Sequence, residues 1–170
     1  MIRALAIALL LAAPLPVLAQ TPPKPAAQPA RTPSVDPVSE ANLSRDGLKA
    51  MFDAAKLPAT VDRDGNLTVK PGAVLIYVLP GKDRVRLLAN FGFAARATYP
   101  EKLDLANRIN DGYIVVRAAV PGDRPAELAI DHYVLLGNGV SRATLVAVTR
   151  RFAAIVEEAV GAVDTERLLK

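Results

Sequence analysis

Residues 73–93, AVLIYVLPGKDRVRLLANFGF, predict two strands with a tight turn between them. The first seven residues of this segment are all apolar, which is typical of a strand in the middle of a sheet. Its second half alternates with a period of two, which places Val85 and Leu87 on one face and Arg84 and Arg86 on the other. Because only a short turn joins the two strands, they must run antiparallel.

Further helices and strands are predicted on both sides of this hairpin. Apolar residues at helical spacing predict helices at 44–56, 99–111 and 141–162, with Gly112 ending the second by taking positive φ. Extended segments are predicted at 59–62, 67–70, 113–120 and 125–136. The order is α-β-β-β-α-β-β-α when the first short hairpin is counted once. We therefore predict an α+β fold in which an antiparallel sheet of about five strands packs against three helices.

The composition and charge of the chain exclude several classes of function. Its 170 residues include 21 basic and 17 acidic side chains, for a net charge of +4, and the two signs alternate along the chain. Because no block of lysine and arginine could follow a phosphate backbone, we expect no nucleic-acid partner. The chain has no cysteine and a single histidine, His132, so cysteine-based and multi-histidine metal sites cannot form. We expect no metal and no cofactor.

The N-terminal residues 1–19 have the pattern of a secretory signal peptide. Arg3 precedes an unbroken apolar run, and Val17 and Ala19 are the small residues at the −3 and −1 positions of a cleavage site. The apolar run is about half the length that a membrane-spanning helix needs. We therefore predict a cleaved signal peptide, a periplasmic or secreted protein, and no integral membrane segment in the mature chain.

The remaining chain divides into three parts by composition. Residues 20–41 contain six prolines among small and polar residues, and we predict a Pro-rich disordered linker there. Residues 42–163 hold the predicted helices and strands and form the α+β domain. Residues 164–170 are mostly charged, and we predict a flexible tail.

Four polar side chains are candidates for contact with a partner. Asn107 and Asn110 are three residues apart on a helix, so they share a face that could grip a partner's backbone. Arg84 and Arg86 face outward on one strand and could bind an acidic partner. Structural roles remain open for all four. Asn110 can cap its helix, Asn107 can satisfy buried carbonyls, and the arginines can belong to a solvated sheet face.

His132 is the only histidine and therefore the only imidazole base available for catalysis. It shares a predicted strand face with Ile130 and Val134, whereas Asp131 points to the opposite face, so this adjacent pair cannot act on one substrate. The chain contains neither Gly-x-Ser-x-Gly nor His-Glu-x-x-His. We predict no catalytic residues and no enzyme activity. A hydrolase that depends on His132 and a carrier of a small apolar ligand remain the alternatives.

Three motifs carry a family resemblance. The sequence LANRIN at 105–110 lies on a helix, LAID at 128–131 lies on a strand, and GVS at 139–141 leads into the last helix. With these motifs in this order, the chain from residue 43 to residue 160 resembles the YbjN-domain family of bacterial proteins, also labelled sensory transduction regulators. The family has no accepted catalytic residues that could be carried over to this chain.

The resemblance implies a fold similar to that of the type III secretion chaperones, which bind partner chains and often dimerise. The implied partner is another protein or a second copy of this chain in a homodimer. Cytoplasmic members of the family have no leader, so the predicted signal peptide and linker are a departure. We predict an exported, non-enzymatic protein-binding module of the bacterial envelope, chaperone-like or regulatory in role.

Overall fold

The computed structural model describes residues 37–170. The predicted signal peptide and residues 20–36 of the predicted linker lie outside the described residues. The helices are α1 (Arg45–Ala54), α2 (Tyr99–Gly112) and α3 (Arg142–Val163), with a short 3-10 turn before α1 (Glu40–Asn42). The strands are β1 (Ala59–Val61), β2 (Leu67–Val69), β3 (Ile76–Pro80), β4 (Arg84–Gly92), β5 (Arg117–Ala119) and β6 (Glu127–Leu135).

Within residues 37–170, six strands form one antiparallel sheet in the order β1-β2-β3-β4-β6-β5. The predicted hairpin of 73–93 supplies β3 and β4 at the centre of this sheet. The long pairing joins β4 to β6, from Arg84 opposite Leu135 to Gly92 opposite Glu127. The α+β class and the antiparallel sheet are confirmed. The sheet has six strands rather than about five, because both pieces of the first hairpin pair as strands.

The helices cover one face of the sheet. Val85, Leu87 and Ala89 of β4 are fully buried on that face, in one core with Leu105 of α2 and Phe152 of α3. Burying a valine, leucine or phenylalanine side chain stabilises the fold by about 2 kcal/mol. The opposite face, which we call the open sheet face, consists of the even-numbered positions of β4 and the odd-numbered positions of β6. None of the described helices packs its core residues there.

Polar side chains cap the N-terminal ends of α1 and α2. The hydroxyl of Ser44 accepts a hydrogen bond from the N–H of Gly47 at 3.1 Å, which caps α1. The carboxylate of Glu101 accepts hydrogen bonds from the N–H and hydroxyl of Thr98, both at 2.7 Å, at the start of α2. Such caps satisfy N–H groups that have no partner inside the helix.

The end of α2 differs from the prediction, and the difference shortens β5. Gly112 is helical and does not have positive φ. The N–H of Tyr113 still donates to the carbonyl of Ile109 at 2.9 Å, so the helix ends one residue later than the glycine signal indicates. A turn then places the N–H of Val116 near the carbonyl of Tyr113, at 3.4 Å. Consequently β5 spans only Arg117–Ala119 and not 113–120.

The C-terminal residues 164–170 pack against the sheet, contrary to the expectation of a flexible tail. Leu168 is 1% exposed, and its carbonyl accepts a hydrogen bond from the N–H of Ala94 at 2.7 Å. The carboxylate of Asp164 accepts hydrogen bonds from the N–H groups of Leu168 at 2.7 Å and Leu169 at 3.0 Å. These residues are ordered despite their charged neighbours because Leu168 belongs to the core and Leu169 packs against it.

Residues 37–41, which composition assigns to the linker, also belong to the folded part. Val38 is 7% exposed, and it exchanges two backbone hydrogen bonds of 2.8 Å with Val140. Ordered structure therefore begins before residue 42. Among residues 37–170, no helix combines the length and the hydropathy that crossing a bilayer requires.

Candidate functional site

A buried carboxylate organises the open sheet face. Asp131 is 2% exposed and accepts hydrogen bonds from Arg86, through Nε at 2.9 Å and Nη2 at 2.6 Å. It also accepts two from Arg117, through Nε at 3.0 Å and Nη2 at 2.7 Å, one on each carboxylate oxygen. The hydrogen bonds and the negative charge of Asp131 raise the pKa of the Arg117 guanidinium above its ordinary value. Arg86 and Arg117 thus carry their charge in a fixed geometry.

The ring of Tyr133 lies among three arginines. The guanidinium carbons of Arg84, Arg86 and Arg117 are 5.9, 5.8 and 5.9 Å from the ring centroid, which is within cation–π range. Tyr133 is 40% exposed, so this group of side chains faces solvent. We name it the arginine–tyrosine cluster, and its members are Arg84, Arg86, Arg117, Asp131 and Tyr133.

Strand register assembles the cluster from three neighbouring strands. Arg86 of β4 is directly opposite Tyr133 of β6, and Arg117 of β5 is directly opposite Asp131. Directly opposed and diagonal side chains on one sheet face are within contact distance. The carboxylate of Asp83 accepts a hydrogen bond from Arg84 Nε at 2.7 Å. With three guanidinium groups and two carboxylates, this part of the surface is net positive.

The predicted site residues separate into two groups. The structure brings Arg84 and Arg86 together in the cluster. Asn107 and Asn110 lie on α2, and the amide of Asn110 is hydrogen-bonded to the backbone of Ala118 in β5. The structural role of Asn110 is therefore the one observed, although its contact is with the sheet and not with its own helix end. Asn107 is exposed on the surface of α2.

Three members of the cluster, Arg117, Asp131 and Tyr133, were not among the predicted site residues. The alternation along β6 indicates that Asp131 and Tyr133 share a face, and this much could be read from the sequence. Their meeting with Arg86 depends on the pairing of β4 with β6, which are separated by α2 and β5. No local pattern encodes that pairing.

His132 lies on the helix-covered side of β6, opposite to the cluster. Its Nδ1 is 2.8 Å from the carbonyl oxygen of Val115, and a carbonyl can only accept, so Nδ1 carries the proton. The ring lies 6.4 Å from that of Phe152 at an angle of 28°. His132 lines a groove of about 210 Å³ whose other lining residues are Val115, Val116, Val148, Arg151, Phe152 and Ile155. None of these residues is a carboxylate that could orient a catalytic imidazole.

A wider apolar groove of about 740 Å³ runs between α1 and α3. Its floor is made of Met51 and Ala54 from α1 and Val146 and Ala147 from α3. This groove is where the alternative function, a carrier of a small apolar ligand, would place its ligand. Within residues 37–170, no group of three or more histidine or acidic side chains is arranged to hold a metal ion.

Comparison with known proteins agrees with the resemblance in the sequence. Residues 44–165 match the YbjN family model, described as "Putative bacterial sensory transduction regulator". The fold is similar to that of YbjN from E. coli, with 15% identity and a TM-score of 0.62 over 75% of this chain and 96% of that chain. It is also similar to an uncharacterized protein from Methanothermobacter thermautotrophicus, with 11% identity and a TM-score of 0.50 over 74% and 99% of the two chains.

A third solved structure is the Yersinia pestis type III secretion chaperone SycH in complex with a stable fragment of YscM2. The match has 14% identity and a TM-score of 0.43, and it covers 69% of this chain and 98% of that chain. No curated protein matches the sequence. At such identities the likeness to solved structures concerns the fold alone.

Proposed function

The chain belongs to the YbjN family, and on that premise we propose that it is a non-enzymatic, regulatory or chaperone-like module that binds another protein. The partner docks on the arginine–tyrosine cluster. The proposal includes export to the bacterial envelope. It depends most on one observation, which is that a buried carboxylate, Asp131, fixes two arginines beside an exposed tyrosine.

Preorganisation is the reason that this surface suits a protein partner. A free arginine loses side-chain entropy when it binds, whereas Arg86 and Arg117 are already held by Asp131 before any partner arrives. Arginine and tyrosine are also the residue types that dominate binding energy at protein interfaces. The net positive charge favours an acidic segment of the partner, and it would speed the encounter between them.

The non-enzymatic part of the proposal is supported by the surroundings of His132. Its Nδ1 is bound to a backbone carbonyl, and the groove beside it is apolar apart from Arg151. A hydrolase would need a carboxylate or a nucleophile within hydrogen-bond reach of the imidazole. Among the described residues, no carboxylate or hydroxyl side chain lines that groove, which favours a non-enzymatic role over a hydrolase.

Export is supported by the sequence alone. Residues 1–19 have the basic, apolar and small-residue regions of a secretory signal in the right order. The lack of cysteine means that the protein needs no disulfide in an oxidising compartment. The proposed site of action is the periplasm or the cell exterior, in contact with another envelope or secreted protein.

A site-specific crosslink tests the proposal. The full chain is expressed in its native host with the photoreactive residue benzoylphenylalanine in place of Tyr133, or in place of Tyr99 as a control. Tyr99 is 53% exposed and lies at the start of α2, away from the open sheet face. We expect one dominant crosslinked protein from position 133 and not from position 99. Equal crosslinking from both positions, or none from position 133, would contradict the proposal.

A further inference from the structure

The sheet protects backbone groups on both of its outer strands. On β5, the side-chain amide of Asn110 accepts from the N–H of Ala118 at 2.7 Å and donates to its carbonyl at 3.0 Å. On β1, the carboxylate of Asp53 accepts from the N–H of Ala59 at 2.9 Å. Uncovered edge groups invite pairing with other chains, and both contacts guard against it.

The side of β6 that extends past the start of β5 is a further edge of the sheet, and none of the described side chains protects it in this way. Because Ala118 turns its backbone polar groups toward Asn110, those of Arg117 and Ala119 face β6 in the alternation of an antiparallel pair. The polar groups of Asp131, opposite Arg117, therefore face β5. By the same alternation, those of Tyr133 and Leu135 point to the same side.

No described strand reaches these two residues. Strand β5 begins at Arg117, so the position opposite Tyr133 would fall to Val115, which lies in the preceding loop. The N–H of Leu136 donates to the carbonyl of Asp83, just before β4, at 2.9 Å. Because backbone polar groups alternate along a strand, the N–H and carbonyl of Leu135 point away from β4. Among residues 37–170, the N–H and carbonyl groups of Tyr133 and Leu135 have no strand beside them on this edge.

The space beside this edge is open, and its lining combines apolar side chains with Arg117 and Asp131. A groove of about 270 Å³ separates the loop of Ile114 and Val115 from β6 at Tyr133. Ile114 is 94% exposed, Val115 45%, Tyr133 40% and Leu135 67%. These four are half of the eight large apolar side chains that are exposed among the described residues. Exposed apolar side chains that cluster in this way mark a surface for another molecule.

We propose that the partner supplies an extended segment that adds a β-strand to β6 along Tyr133–Leu135. This inference rests on the proposed function and specifies the form of the partner. Main-chain hydrogen bonds to Tyr133 and Leu135 would hold the segment in place, as they do wherever a peptide extends a sheet. Tyr133 belongs to the arginine–tyrosine cluster, and Leu135 lies two residues further along β6. The strand pairing therefore indicates which side chains of the segment would lie beside the cluster.

The strand pairing predicts a negative charge at the position of the added strand that lies opposite Tyr133. The partner residue opposite Tyr133 turns its side chain to the open sheet face, beside Arg86 and Arg117. A carboxylate there complements the positive cluster. The residues on either side of it point toward the helix-covered side, where apolar side chains can pack on Val115 and Val116. The segment is therefore acidic at one position and apolar at its two neighbours.

A proline substitution isolates the main-chain contact. The N–H of Leu135 points away from β4, so Leu135→Pro removes a donor to the added strand and leaves the β4–β6 hydrogen bonds in place. The matched control, Leu135→Ala, removes the apolar side chain and keeps the N–H. The probe is the partner segment that crosslinks at position 133, made as a synthetic peptide. We expect Leu135→Pro to weaken binding of the peptide by about tenfold more than Leu135→Ala does.

The outcomes separate this inference from the proposed function. If the peptide binds Leu135→Pro and Leu135→Ala with equal affinity, strand addition is wrong and partner binding at the cluster still stands. If position 133 yields no crosslinked protein, both proposals are wrong. Should Leu135→Pro fail to fold, backbone amide hydrogen exchange in the wild-type chain tests strand addition instead. The peptide should slow exchange at Tyr133 and Leu135 by about tenfold or more, and unchanged exchange at both would overturn the inference.

Discussion

The side-chain amide of Asn110 forms with Ala118 the two hydrogen bonds that a neighbouring strand would otherwise form. Its Oδ1 accepts from the N–H of Ala118 at 2.7 Å, and its Nδ2 donates to the carbonyl of Ala118 at 3.0 Å. Helix α2 thereby closes the outer edge of β5. The nearby edge of β6 at Tyr133 and Leu135 has no such cover from the described residues, and this contrast underlies the proposed mode of partner binding.

Asn110→Ala should destabilise the domain because it leaves both polar groups of Ala118 without their partner. We expect the free energy of unfolding to fall by about 1–2 kcal/mol. Urea denaturation measures this change. Asn107→Ala is the matched control, since Asn107 is exposed on the same helix, and its effect should stay within about 0.5 kcal/mol. Equal effects of the two substitutions would contradict the role assigned to Asn110.

Asp131→Ala should lower stability and also disorder the surface above it. The substitution removes the acceptor of four hydrogen bonds from Arg86 and Arg117. We expect a loss of about 2 kcal/mol in the free energy of unfolding and weaker binding of the partner, although Asp131 itself is buried. The control is Asp46→Ala, whose ion pair with Arg45 is exposed and should contribute less than about 0.5 kcal/mol. Unchanged partner binding in folded Asp131→Ala would show that the arginines need no preorganisation.

Leu168→Ala tests whether the C-terminal residues belong to the core. Leu168 is 1% exposed, so its truncation should leave a cavity and cost about 2–4 kcal/mol in the free energy of unfolding. Leu103→Ala is the control, because Leu103 is 39% exposed on α2. Chemical denaturation of both variants measures the difference. A loss at position 168 no larger than that at position 103 would restore the expectation of a flexible tail.

Acid should destabilise the domain in part through Asp53. The hydrogen bond from Lys49 and then that from the N–H of Ala59 hold the pKa of this carboxyl below its ordinary value of 3.8. A carboxyl with a lowered folded-state pKa contributes stability that is present above the unfolded pKa and is lost as the pH falls through the folded pKa. The melting temperature should therefore fall less between about pH 6 and pH 3 in Asp53→Asn than in wild type. Identical pH profiles of the two proteins would contradict this assignment.

The N-terminal segment makes a prediction about processing and location. If residues 1–19 are a signal peptide, the mature chain in its native host should begin at Gln20, and cell fractionation should recover it outside the cytoplasm. A charge in the apolar run, as in Leu10→Arg, should retain an unprocessed chain in the cell. Gln28→Arg adds the same charge in the predicted linker and should have no effect. Export of the Leu10→Arg chain at the wild-type level would argue against a signal peptide.

Local patterns in the sequence predict the individual strands and their faces. The alternation in residues 84–93 correctly places Val85 and Leu87 in the core and Arg84 and Arg86 on the other face. The antiparallel hairpin follows from its short turn. These features depend on neighbours in the chain, so periodicity and turn chemistry are enough to predict them.

Features that depend on distant pairings could not be predicted in the same way. The cluster needs β4 beside β6, and the acceptor role of Asn110 needs α2 beside β5. The charged residues around Leu168 predict a flexible tail, yet the antiparallel bridge between Phe93 and Leu169 brings Leu168 to the core. The cluster, the contact of Asn110 with β5 and the burial of Leu168 all depend on tertiary contacts. No local pattern in the sequence identifies the residues that meet in them.

The binding of the partner segment to two charge-reversal variants decides whether the partner docks on the arginine–tyrosine cluster. Arg84→Glu reverses a charge in the arginine–tyrosine cluster, and Arg63→Glu makes the same change at an exposed position in the turn between β1 and β2. The measurement is the dissociation constant of the peptide that crosslinks at position 133. We predict that Arg84→Glu weakens binding by about tenfold and that Arg63→Glu changes it by less than about twofold. Equal dissociation constants for the two variants would contradict the claim that the partner binds at this cluster.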